Sequence, residues 1–285
     1  MPSPASGPAA IKPSGHPEPR PFLKWAGGKG QLLGQYQRLL PRRYSRYFEP
    51  FAGGAALFFH LRPGGAALSD SNGELIDTYR AVRDEVEPLI DALKQHRYEE
   101  GHYYATRDRD PRALPLHERA ARTIFLNRTG FNGLYRVNRK GNFNVPLGRY
   151  TNPLICDEKN LRACAVALRG VQLEARDFSE VQDRARKGDF VYLDPPYVPI
   201  SDTADFTAYV PGGFGWEQQL RLHEVFLELA RRGVKVMLSN SDAGRLRELY
   251  EDFDIEDVAA TRSINSIGTR RGAKVREIVV RSFKE

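Results

Sequence analysis

The tetrapeptide Asp194-Pro195-Pro196-Tyr197 follows directly on the apolar run FVYL and carries the most specific chemistry in the chain. Two successive prolines fix φ and remove two backbone donors, so the segment presents carbonyls that only accept. The Asp194 carboxylate is a further acceptor, and Tyr197 adds an aromatic plate. Such a rim suits a planar group bearing an NH2 whose lone pair is conjugated into a ring and is a poor nucleophile. Two fixed acceptors, the Asp194 carboxylate and the Pro195 carbonyl, favour a more tetrahedral nitrogen and support positive charge as it attacks a methyl donor. A base that reacts this way has to leave the duplex stack, and Tyr197 can stack on it. The bland alternative is a strand that stops at a proline-rich turn.

Three other segments have residue types suited to a ligand. Glu49-Pro50-Phe51-Ala52-Gly53-Gly54-Ala55 sets glycines between a strand and a helix, where the backbone can approach a ligand and a helix N-terminus favours anionic groups. It is not G-x-G-x-x-G, which counts against a dinucleotide fingerprint. Asp70 ends the next strand, where an acid commonly accepts bonds from ribose hydroxyls. It reads equally well as the N-cap of a helix beginning NGEL, with Glu74 close to capping-box range. Asp177-Phe178 ends a third strand or forms an ordinary turn. In Phe22–Lys29, Trp25 offers a flat apolar face, Gly27-Gly28 lets the chain pass close to a ligand, and Lys29 can neutralise a carboxylate. A core tryptophan beside a surface lysine is the alternative. The phosphate-loop pattern G-x-x-x-x-G-K-[ST] is not met, which sets an NTPase aside.

These segments need a scaffold that brings strand ends together, and the hydrophobic pattern supplies one. RYFEPFAGGAALFFHL reads as strand, glycine turn and helix, GAALSD as a strand, and NGELIDTYRAVRDEVEPLIDALKQH as one long amphipathic helix. VQLEARDF, FVYL, VKVMLSNSD and VREIVVRSF read as strands, with helices at LRLHEVFLELARRG and AGRLRELYEDF. Alternating strands and helices predict an α/β fold: a doubly wound, mostly parallel sheet with helices on both faces, its ligands beyond the strands' carboxyl ends. Residues 94–164 break this rhythm. They are rich in Arg, Tyr and Asn, contain a hairpin with its turn at Asn138–Gly141, and read as an inserted domain between two parts of a catalytic domain, 21–93 and 165–285. Residues 1–20 hold six of the 19 prolines and read as a disordered tail.

Charge points to a polyanion. The chain of 285 residues has a formal net charge of +7, and the 32 residues from Arg119 to Tyr150 contain seven basic residues and no acid. A second one-sign stretch, Thr261–Arg276, holds Arg262, Arg270, Arg271, Lys274 and Arg276. A solvated basic surface is the competing reading. Two cysteines exclude a disulfide scaffold and a Cys-rich zinc site, and suit a reducing cytosol. No apolar run reaches the ~20 residues of a membrane span, and no apolar leader opens the sequence.

The ordered set FLKWAGGK, EPFAGGAALFF, LSDSN, FNGLYR…NFNVPLGRY and DPPY, spread from about Pro21 to Arg281, resembles the Dam-type (D12 class) DNA adenine-N6 methyltransferases. Ala55 stands where many members have Gly. The resemblance implies a S-adenosylmethionine-dependent methyltransferase fold with an inserted helical/β-hairpin target-recognition domain, residues 94–164. It implies S-adenosyl-L-methionine as cofactor, contacted by Trp25, Lys29, Asp70 and Asp194, with Phe48, Glu49, Pro50, Phe51 and Gly53 lining its methionine part. Asp177 and Phe178 take its adenine edge and face, and Asp194, Pro195, Pro196 and Tyr197 take the extruded target adenine.

On the DNA side the resemblance places Lys24, Asn132, Leu134, Arg136 and Pro146 at base-reading positions. Arg136 can fork onto guanine O6 and N7, while Leu134 and Pro146 can meet a thymine methyl. Arg128, Arg139, Lys140, Arg149, Arg270 and Arg271 are then expected on phosphates. The implied activity is adenine-N6 methylation of double-stranded DNA at GATC in a cytoplasmic, nucleoid-associated enzyme, with a cognate restriction endonuclease as a conceivable partner. The competing readings are an RNA or protein-amide methyltransferase and a DNA-binding module without catalysis.

Overall fold

The computed structural model describes residues 17–138, 140–197, 214–261 and 274–284. In chain order the elements are α1 (Leu33–Tyr36), β1 (Tyr47–Glu49), α2 (Ala56–Leu61), β2 (Ala66–Asp70), α3 (Gly73–Asp84), α4 (Val86–Lys94), α5 (Glu100–Asp108), α6 (Leu116–Thr129) and α7 (Glu158–Ala167). They continue with β3 (Gln172–Ala175), α8 (Val181–Arg184), β4 (Phe190–Leu193), α9 (Trp216–Arg231), β5 (Lys235–Ser241), α10 (Gly244–Leu249), β6 (Asp254–Thr261) and β7 (Lys274–Arg281).

The strands form one sheet in the order β3-β2-β1-β4-β5-β7-β6. Pairings from β3 through β5 are parallel, and β7 runs antiparallel between β5 and β6. Both faces are buried, as a helix-covered parallel sheet requires. The strand period of two sorts the side chains between faces: Phe190, Tyr192, Met237 and Val279 enter one core, whereas Val191, Leu193, Val236, Leu238, Ile278 and Val280 enter the other. The strand order reverses between β1 and β4, the switch point at whose carboxyl ends a doubly wound sheet takes its ligands.

The long helix expected over residues 72–96 is two helices. Pro88 lacks an N–H and its ring would clash with the carbonyl four residues back, so the chain breaks at Glu85 (φ −132°, ψ 39°) and Pro88 falls in the first turn of α4. Glu85 then pairs with His117 of α6 at 2.8 Å. Strand β6 lies where the apolar pattern gives no signal. It is an edge strand, and Asp254, Glu256 and Asp257 keep that edge charged.

Residues 94–164 have a small core of their own, Tyr103, Phe125, Leu126, Phe143 and Val145. Helix α6 is shared, because Ala120, Ala121 and Ile124 on its other side belong to the main core. The hairpin closes through the Val137–Phe143 bridge, and Asn138 Oδ1 accepts from the N–H groups of Lys140 and Asn142. Arg139, Arg270 and Arg271 lie outside the described residues, as does nearly all of the proline-rich tail. Among the described residues no helix is long and apolar enough to cross a membrane.

Candidate active site

The carboxyl end of β4 delivers Asp194 to the switch point. Lys29, almost fully buried in the loop before α1, places Nζ 2.7 Å from Asp194 Oδ1 and donates to the Gly27 carbonyl at 2.6 Å. Its ammonium also lies 4.6 Å from the centre of the Tyr197 ring. Ser239, at the polar end of β5, donates to the same Asp194 oxygen at 3.0 Å and shares a hydrogen with the Tyr192 hydroxyl. Burial pushes the Asp194 carboxyl up from its ordinary range, and Lys29 opposes that rise. The geometry therefore concentrates donors on Oδ1 and holds the carboxylate against rotation.

The rest of the tetrapeptide is fixed from three sides. The Tyr197 hydroxyl donates to Glu277 Oε2 of β7 at 2.7 Å. The Pro196 carbonyl accepts from Gln219 of α9 at 3.4 Å, and Gln219 is in turn held by Asn240 of β5 at 3.0 Å. Sequence reasoning missed Glu277, Gln219, Ser239 and Asn240. The signal was present for β5: Ser239, Asn240 and Ser241 are buried polar residues at the end of an apolar strand, and buried polar groups are there to bond something.

Beside Asp194, the ends of β1 and β2 form a second cradle. Asp70 Oδ2 accepts from Gly53 N–H at 3.1 Å and Oδ1 from Asn72 N–H at 2.9 Å. Burial raises the Asp70 carboxyl, and those two N–H groups oppose it. The helix-cap reading of Asp70 is corrected: Asn72 caps α3 through Leu75 N–H. Glu74 makes no capping box either, because it binds Arg122, Thr123 and the Tyr135 hydroxyl. Gly53 has φ +45°, and a Cβ there would stand 2.7 Å from Trp25 Cδ1, so backbone and indole are in contact. Glu49, fully buried, accepts from the Tyr47 hydroxyl at 2.8 Å, and burial pushes its carboxyl up to about 8.

Ala55 takes the left-handed conformation (φ 48°) with its methyl in the main core. The departure from glycine therefore strains the backbone and does not fill the cradle.

At the third strand end, Phe48 and Pro50 share a narrow cleft with Asp177, while most of the Phe48 ring is core under the Arg46 guanidinium. Phe51 stacks on Phe178 at 5.1 Å. Asp177 closes a capping box and grips Arg221 through two bonds of 2.6 and 3.0 Å, and the Arg221 guanidinium also lies 4.8 Å from the Phe178 ring. Burial pushes the Asp177 carboxyl up, but Arg221 and Ser179 together hold it below its usual range. Arg221 thus engages both the Asp177 carboxylate and the Phe178 ring.

The seven-cation stretch divides. Arg119 pairs with Asp77, the buried Arg122 with Glu74, and Arg128 gives two bonds to the Phe22 carbonyl, so these three face inward. For Arg128 this differs from the expected phosphate contact, because two of its donors are spent inside the fold. Arg136, Lys140 and Arg149 are exposed. Arg136 is aimed by Asn144, whose Oδ1 accepts from Nε at 2.7 Å.

Lys24 is clamped through its backbone by Asn127, and its ammonium lies 4.3 Å from the Tyr150 ring. Burial and Arg128 lower its pKa. Asn132 takes φ 56°, Leu134 is half-buried, and Pro146, exposed, accepts from Phe131 N–H at 2.8 Å. Phe131, 42% exposed beside Asn132, is a further aromatic on this face that sequence reasoning passed over.

The arrangement offers a fixed carboxylate and proline carbonyl next to a backbone cradle, with an aromatic and basic hairpin alongside. Comparison with known proteins agrees. The family model for D12 class N6 adenine-specific DNA methyltransferases matches residues 25–264. A type II methyltransferase of Lactococcus lactis subsp. cremoris is 45% identical over 272 residues, covering 93% of this chain and 95% of that protein. One from Methanocaldococcus jannaschii is 39% identical over 93% of this chain and all of its own length. The DNA adenine methylase of Escherichia coli (strain K12) is 36% identical over 91% of this chain and 94% of its own. A match that runs through both strand-end cradles, the hairpin and the tetrapeptide settles the lineage: the chain belongs to the D12 class of N6 adenine-specific DNA methyltransferases.

Proposed function

We propose that the chain transfers a methyl group from S-adenosyl-L-methionine to adenine N6 in duplex DNA at GATC. The observation that carries this reading is the meeting of Asp194 and Lys29 with the Gly53–Asp70 cradle at the adjoining carboxyl ends of β4, β1 and β2.

The residues present suit that cofactor. Asp70 and Asp194 are acceptors for hydroxyl and ammonium groups, and Trp25 lies on Gly53, where only a bare backbone fits. When bound, the cofactor supplies an electrophilic methyl on sulfur. Asp194 Oδ2 and the Pro195 carbonyl accept from the target amine and draw its lone pair out of conjugation. Lys29 favours the ionised form of the carboxylate and holds it in place. Tyr197, anchored by Glu277, offers its ring to the base.

Residues 94–164 serve as the target-recognition domain, with Arg136, Leu134 and Pro146 toward base edges and Lys140 and Arg149 toward phosphates. Phe131 can fill the space an extruded base leaves. The type II names of two relatives support a role as the modifying half of a restriction–modification pair. Labelled cofactor supplied with GATC duplex, scrambled duplex and RNA tests the reading. Label in the GATC duplex alone is expected; equal label in both duplexes removes the sequence assignment, and label in RNA alone removes the substrate.

A further inference from the structure

We propose that the edge of the sheet remote from Asp194 is a second binding surface, for the phosphate backbone of another segment of duplex DNA. The loops entering β1, β4 and β5 and the segment leaving β7 meet there. They are stitched by Ser45 N–H to the Gly188 carbonyl (2.9 Å), Gly188 N–H to the Gly233 carbonyl (3.1 Å) and Lys235 Nζ to the Arg43 carbonyl (2.9 Å). Residues 42–46, 186–189, 231–235 and 281–284 hold ten Lys or Arg and a single acid, Asp189. Asp189 is buried and bound by Arg46 at 2.7 Å. The nearby Asp254 and Glu228 are taken by Arg281 and Arg231.

Arg43, Arg186, Lys187 and Lys284 are exposed and have no carboxylate partner among the described residues. Arg38, Arg42, Arg281 and Lys284 line a cavity of about 670 Å³ at one end of the row. With Asp189, Asp254 and Glu228 each paired to one of the ten, the row keeps an excess of seven cations over these three acids.

The geometry selects the occupant. Strands lie ~4.8 Å apart, so the row from β1 to β7 spans ~14 Å. Laid along a duplex, that row covers the axial rise of about four base pairs at ~3.4 Å each, with phosphates of both strands on its flanks. The seven residues of β5 hold the two edges ~20 Å apart and facing opposite ways. One straight duplex cannot touch both, so the rear edge takes a second segment, which long DNA supplies. The inference rests on membership of a DNA-acting family and not on the roles given to individual catalytic or base-reading residues.

The test uses the full chain and two triple variants, R43E/R186E/K187E and R43Q/R186Q/K187Q. Short duplex lacking GATC is titrated at several salt concentrations. The wild type is expected to bind two duplexes per chain at about 50 mM salt and the glutamate triple one, with a salt slope shallower by about two to three units. Methylation of a short single-site duplex stays within about twofold, while methylation of long many-site DNA slows several-fold. If the glutamate triple melts early, the glutamine triple, which keeps the stems, gives the decisive comparison. Equal stoichiometry and equal salt slopes in wild type and variants overturn the proposal. So does displacement of the second duplex by poly-glutamate at lower concentration than by duplex competitor, which assigns the edge to an acidic protein.

Discussion

Tyr135 of the hairpin lies almost parallel to Trp25, their ring centroids 5.4 Å apart and their planes at 28°. Trp25 in turn covers Gly53, and the Tyr135 hydroxyl donates to Glu74, which holds Arg122 and Thr123 on α6. One aromatic contact therefore joins the inserted residues 94–164 to the strand-end cradle.

Tyr135→Ala is expected to lower kcat/KM on duplex DNA by about two- to tenfold, since such a ring pair is worth about 0.5–1.5 kcal/mol. KM for cofactor and for DNA should rise together in steady-state assays. Tyr135→Phe keeps the stack and stays near the wild-type value. A loss confined to DNA affinity would show that the hairpin acts alone.

Asp194→Asn should reduce turnover by about 10²–10³-fold, the size seen when one fixed polar group is removed from a transition state. It also strands a buried ammonium, and breaking a buried pair costs about 3–5 kcal/mol. The double variant Lys29→Met/Asp194→Asn is expected to melt above Asp194→Asn while remaining inactive. Calorimetric melting and single-turnover methylation separate the two effects.

Glu49 gives a pH signature. Its carboxyl binds a proton up to about pH 8 in the folded chain, against the ordinary 4.5 when unfolded. Between those values the folded state holds more protons, so this group's contribution is complete below 4.5 and is lost as pH rises toward 8, by a few kcal/mol at most. Glu49→Gln, which stays neutral, should lose less stability than the wild type between pH 5 and 8 in thermal melts. Parallel profiles would show that Glu49 does not titrate in this range.

Gly53→Ala places a Cβ 2.7 Å from the Trp25 ring at a backbone φ of +45°. Isothermal titration should show cofactor binding lost with affinity for non-target DNA retained. Unchanged cofactor affinity would move the ligand away from this cradle.

Arg136→Ala should cost about 1–3 kcal/mol of discrimination at one base pair. Asn144→Ala, which releases the same guanidinium, should relax the same position more weakly. Methylation of a panel of single-substitution GATC duplexes reads both.

The strand ends could be read from the sequence because apolar runs stop at Asp70 and at Asp194. The break at Glu85 was signalled by Pro88, whose effect the unbroken apolar spacing of residues 75–93 masked. For Lys29 the sequence showed a cation able to neutralise a carboxylate but not which one: Asp194 lies 165 residues further along, and only the β1/β4 neighbourhood joins them. Charge misled in the same way. The linear run Arg119–Tyr150 looked like one patch, yet three of its arginines turn inward, whereas the basic row remote from Asp194 is assembled from four short segments that no window along the chain would group.

Because β1 and β4 are adjacent but come from opposite sides of the insertion, Lys29, Gly53 and Asp70 arrive on one half of the polypeptide, and Asp194, Tyr197 and Glu277 on the other. Neither half owns every residue of the proposed centre. Severed near the tip of the Asn138–Gly141 turn, the gene would encode two silent fragments whose reunion alone restores DNA marking, which makes the seam between these strands a natural place to build a split reporter.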